Sequence, residues 1–84
     1  MATYDKLYND FNSAINSTMD SFFKVFEIPE ENQKYIKRRL APIINGYRLN
    51  YYSRNIGKPL EEINQSYITK CCQRIYERLK PRDN

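Results

Sequence analysis

Residues 35–52 read Tyr35-Ile36-Lys37-Arg38-Arg39-Leu40-Ala41-Pro42-Ile43-Ile44-Asn45-Gly46-Tyr47-Arg48-Leu49-Asn50-Tyr51-Tyr52, and the fold turns on whether one helix passes through Pro42. Ile36, Leu40, Ile43, Tyr47 and Tyr51 recur at spacings of four, three, four and four, one stripe of a 3.6-residue helix that continues past the proline. Pro42 has no N–H to offer the carbonyl of Arg38, and its ring crowds that carbonyl. A kink or a break near Ala41 is therefore expected. The unbroken stripe favours a kinked helix over about 30–54, opened by Pro29 at its first position with Glu30 and Glu31 in the first turn.

Two further segments flank it. Upstream, Tyr4, Leu7, Phe11, Ile15, Met19, Phe22 and Phe26 form a stripe that predicts a helix over 3–26. Thr3 is its N-cap, Asp5 complements its dipole, and Pro29 limits its far end. Downstream, Asn55-Ile56-Gly57-Lys58 supplies a turn in which Gly57 suits a left-handed position. Pro59 then opens a third helix with Leu60, Ile63, Tyr67, Cys71 and Ile75 as its inner stripe, widened by Ile68 and Leu79 and stopped by Pro81. A helix-turn-helix split at Asn64-Gln65-Ser66 is disfavoured because no glycine is present for the turn, so one continuous helix is expected over 59–80. The predicted fold is all-α, a small antiparallel three-helix bundle occupying 1–84 as a single domain.

At 84 residues one domain is all the chain can form, and it buries only roughly 60% of its unfolded surface, so stability is expected to be marginal. Met1–Leu7 has neither the basic nor the apolar region of a secretory signal, and no apolar run reaches the ~20 residues that span a bilayer. An intracellular, cytoplasmic chain with no membrane partner is the expectation. Adjacent Cys71 and Cys72 would close almost no loop as a disulfide, so Cys71 is expected reduced in the core with Cys72 partly exposed.

Residue types exclude most catalysis. There is no histidine, the usual base for a Ser or Cys nucleophile and a common zinc ligand, and Gly46 and Gly57, the only two glycines, cannot make a phosphate loop. Glu30/Glu31 and Glu61/Glu62 are explained as first-turn dipole partners. No enzyme activity, cofactor or metal is expected, and surface binding of a macromolecule is what remains.

Charge gives that binding a location. Residues 1–31 carry six acids against Lys6 and Lys24, whereas residues 32–58 carry seven bases and no acid. On a straight helix Lys34, Lys37, Arg38, Asn45, Arg48, Tyr52 and Asn55 fall within about a 100° arc facing away from the apolar stripe. The candidate partner-binding residues are accordingly Lys34, Lys37, Arg38, Arg48, Tyr52 and Arg54. Arg and Tyr are residue types that dominate protein interfaces, and the leading reading is a small regulatory or adaptor protein docking on a larger protein partner. The same face could follow nucleic-acid phosphates, with Tyr52 stacking on a base, or the chain could be a structural subunit of a larger assembly. The bland alternative is a solvated face partly neutralised by the acidic first helix. Tyr8, Phe23, Tyr35, Tyr52 and Tyr76 lie off the main stripes, which suggests a second buried surface, with a homodimer as one form of it.

Overall fold

A computed structural model describes residues 1–80, on which α1 spans Tyr4–Val25, α2 spans Glu30–Asn55 and α3 spans Ser66–Leu79, with one 3₁₀ turn at Leu60–Glu62. Successive helices run antiparallel, so that the start of α1 lies by the end of α2: Tyr4 meets Tyr52 at 5.4 Å between ring centres. The three helices make the expected all-α bundle, and the described residues contain no strand. Pro81, the expected stop of the third helix, lies outside the described residues.

α1 begins as its sequence predicts. Thr3 is extended, and its hydroxyl accepts the Lys6 N–H at 3.3 Å. Its end has a specific device. Ile28 N–H bonds Phe23 O at 2.9 Å and Glu27 N–H bonds Lys24 O at 3.3 Å, the paired closure of a Schellman turn. Glu27 holds the left-handed position there at φ 52°, where glycine is usual.

α2 runs through Pro42 without a break. The proline is exposed, so water can reach the unpaired Arg38 carbonyl. At 26 residues α2 is about 39 Å long, and it sets the 43 Å long axis of the molecule. Gly57 takes φ 80° just beyond it, as the sequence predicts. In that turn Ala2 N–H donates to Lys58 O at 2.7 Å and Gly57 N–H donates to Ala2 O at 3.0 Å, clamping the chain's start to the end of α2.

The expected continuous helix over 59–80 is not what forms. After the 3₁₀ turn, Ile63 is extended (ψ 125°) and α3 starts only at Ser66. Asn64 Oδ1 accepts both Ser66 N–H at 2.9 Å and Ser66 Oγ–H at 2.6 Å, so an asparagine side chain makes the turn without a glycine. α3 is therefore 14 residues, and Leu60, placed in its inner stripe by the sequence, is 50% exposed.

The core joins Leu7, Phe11, Ile15, Met19, Phe22 and Phe23 of α1 to Leu40 and Tyr51 of α2 and Ile68, Cys71 and Ile75 of α3. Phe23, read as off-stripe, is only 3% exposed. The reason is that α1 touches both other helices: Phe22 meets Tyr76 of α3 edge-on, while Phe23 lies under Lys37 of α2. Tyr4 and Phe26, at the two ends of the predicted stripe, are exposed. Tyr51, wholly buried, stacks on Tyr67 with ring planes 9° apart and tilts against Phe11.

Candidate functional site

The six candidate residues of α2 do not share one outward face. Arg48 lies at the seam with α1: Nη1 donates to Asn12 Oδ1 at 3.0 Å, Nη2 donates to Asn45 Oδ1, and the guanidinium sits 5.4 Å over the Tyr8 ring. Tyr52 is half-buried against Tyr4 in the same seam, and Lys37 Nζ is 5.8 Å above the Phe23 ring. Arg54 packs on the opposite flank, 5.1 Å over Tyr67 of α3. Asn55, placed on the outward arc by the sequence, is buried and donates to Tyr51 O at 2.9 Å. Arg48, Tyr52 and Asn55 depart from the one-stripe projection because α2 has two neighbours, so its covered arc spreads to both flanks, while Lys37 and Arg54 remain exposed.

What stays open is the N-terminal half of α2. Lys34 and Arg38, one turn apart, are exposed, as are Tyr35 and Arg39, the pair beside them. Tyr35 is 64% exposed, the one off-stripe aromatic left without an intramolecular ring or cation partner among the described residues. Phe23 is buried and Tyr52 and Tyr76 are half-buried within the bundle, whereas Tyr8 keeps half its surface exposed beside Arg48. The acidic first helix does not neutralise the basic one: among the described residues the one ion pair is Lys6–Asp10, within α1. Lys34, Arg38 and Arg39 are thus exposed, with no carboxylate partner among the described residues.

Arg39 also borders a groove between α2 and α3 with a volume of about 980 Å³. Its floor is Ile36, Leu40, Ile43 and Tyr47 of α2 with Leu79 of α3. Only Leu40 among them is fully buried; Ile36, Ile43, Tyr47 and Leu79 are half-covered. The opposite rim carries Arg74, Arg78 and Lys80 with Glu77 as its one acid among the described residues, and Lys80 lies 5.4 Å over Tyr76. Arg74, Arg78 and Lys80 also lie at the C-terminal end of α3, where cations complement the helix dipole. The i, i+4 spacing of Arg74 and Arg78 was legible, but the position of this rim opposite Arg39 depends on the pairing of the two helices.

Burial raises the phenols of Tyr51, Tyr52 and Tyr67 and the thiol of Cys71 above their ordinary values, so none is an activated nucleophile. Cys71 is buried, Cys72 half-buried, and both are free thiols. Among the described residues no three Cys, Asp or Glu side chains converge as a metal site, and no helix is long and apolar enough to cross a membrane. No protein-family model, curated protein or solved structure matches the chain.

Proposed function

We propose that this chain is a non-enzymatic binding protein, a small regulator or adaptor that docks on a larger protein through the basic N-terminal half of α2. The observation that carries this reading is the exposed quartet Lys34, Tyr35, Arg38 and Arg39, three cations and a ring with no carboxylate paired to them among the described residues. Unpaired guanidinium groups and an exposed tyrosine are the side chains from which protein interfaces draw most energy, and they sit on a rigid helix that needs no ordering on binding. Lys37, Arg48, Tyr52 and Arg54 instead contact aromatic rings of the neighbouring helices and hold α2 in the bundle.

The test is capture of partners from native lysate by the wild-type chain and by a K34E/R38E/R39E variant of unchanged helicity, each with and without nuclease. Loss of a protein partner in the variant, insensitive to nuclease, is expected. Equal capture by both chains refutes this surface. A nucleic-acid function for the same face predicts nuclease-sensitive capture and, for three phosphate contacts on duplex DNA, a logarithmic salt slope of about −3.

A further inference from the structure

We propose that the α2–α3 groove is the seat of an acidic amphipathic helix of about three turns, supplied by the protein partner. The inference rests on the protein-binding reading above and extends its surface from Arg39 into the groove. Its floor and rim make different demands, and one occupant meets both. The floor residues of α2 run from Ile36 to Tyr47, eleven residue steps or about 16 Å of helix axis, and they recur at helical spacing. An incoming helix of equal length presents apolar side chains at i, i+3 or i+4, and i+7, which match that floor in period and span. Among the described residues the rim sets Arg39, Arg74, Arg78 and Lys80 against one Glu77, which calls for acidic flanks on the occupant.

Other occupants fit less well. A nucleic-acid strand would answer the cations but leave the aliphatic floor unused, and Tyr47 is the floor's one stacking ring. A free fatty acid would be badly covered, because ligand sites bury most of their ligand and here every floor residue except Leu40 remains partly open. A second copy docked symmetrically would bring two arginine rims together. The chain's own acidic helix, α1, is no substitute, since its apolar stripe is spent in the core.

The experiment uses the full chain as bait for a displayed library of random 16-residue segments, followed by ¹⁵N amide shift mapping with the recovered peptides. Enriched segments are expected to share a net negative charge and apolar residues at helical spacing. Shifts should centre on Ile36–Tyr47 and Arg74–Leu79, and affinity should fall at least tenfold in R74E/R78E, whose changes are at exposed positions. Enriched segments lacking that signature overturn the inference. So do shifts confined to Lys34, Tyr35 and Arg38, an outcome that leaves the basic-face reading standing, whereas full capture of the lysate partner by K34E/R38E/R39E defeats the reading itself. Duplex DNA or vesicles of mixed phosphatidylserine and phosphatidylcholine binding the groove more tightly than any recovered peptide would also overturn it, as would dimerisation through the groove in a concentration series.

Discussion

Replacing Tyr51 by phenylalanine should stabilise the protein, although the change removes a polar group from the centre of the core. The Tyr51 ring is wholly buried among Phe11 and Tyr67, and its hydroxyl has no hydrogen-bond partner. The Gln65 side chain approaches it without closing a bond of normal geometry. A buried hydroxyl left unsatisfied costs about 1–3 kcal/mol, because its hydrogen bonds to water are given up on folding and not replaced. Y51F keeps the ring contacts and deletes that cost, less a small void where the oxygen was. A net gain of about 1 kcal/mol follows, or roughly 4–8 °C in Tm for a domain of this size. Thermal and urea unfolding followed by circular dichroism measures it, with an unchanged urea slope required so that the shift reports stability alone. Loss of more than about 0.5 kcal/mol would refute the reasoning and mean that the hydroxyl has a partner in solution. A double-mutant cycle with Q65A then identifies it, since coupling near zero leaves trapped water and coupling near 1 kcal/mol indicts Gln65.

Three other outcomes follow from the same geometry. Pro42→Ala restores the N–H facing the Arg38 carbonyl inside a continuous helix and should stabilise by about 1–2 kcal/mol, partial because that carbonyl is already near water; a lower Tm would show that the proline's bend is needed for packing. Arg48→Ala loses the Asn12 bond and the Tyr8 contact and should destabilise by about 1–2 kcal/mol, whereas K34E/R38E should stay within about 0.5 kcal/mol, a contrast that urea midpoints read directly. Raising the pH should weaken the fold: burial holds the Tyr51, Tyr52 and Tyr67 phenols above their ordinary 10.0, so above that pH the unfolded chain has released protons that the native chain still holds. Tm should therefore be level below about pH 10 and fall beyond it, with the late tyrosine absorbance change coinciding with unfolding; full phenolate absorbance before unfolding would contradict the burial.

The helix count, the Thr3 cap, the Gly57 turn and most of the α1 core were legible because each depends on neighbours a few residues apart. Phe23 was not, since its burial comes from α1 lying between two partners, and a single-stripe reading allots each helix one partner. The turn at Ile63–Gln65 was half-legible. Asn64 and Ser66 are residues whose side chains replace backbone bonds, and the missing glycine was the wrong criterion once Asn64 Oδ1 could take two bonds from Ser66. The miss shortens α3 by seven residues at its start, 59–65, the end that lies beside Tyr47 and Tyr51, while its far end still reaches the Ile36 end of α2.

The cations of α2 were visible in the sequence as charge, but charge does not say what a side chain is for. In a three-helix bundle the flanking positions of a middle helix must cover core edges, and Lys and Arg do this with their alkyl stems and with cation–ring contacts while keeping the head group near water. Lys37, Arg48 and Arg54 are cations of that kind, each set over an aromatic ring of a neighbouring helix. Lys34, Arg38 and Arg39 differ in having neither such a ring nor a carboxylate among the described residues. An acid-free stretch of 27 residues thus mixes two populations that sequence alone cannot sort. The sorting has a measurable consequence: substitutions in the first population should move stability and leave binding specificity alone, and those in the second should do the reverse.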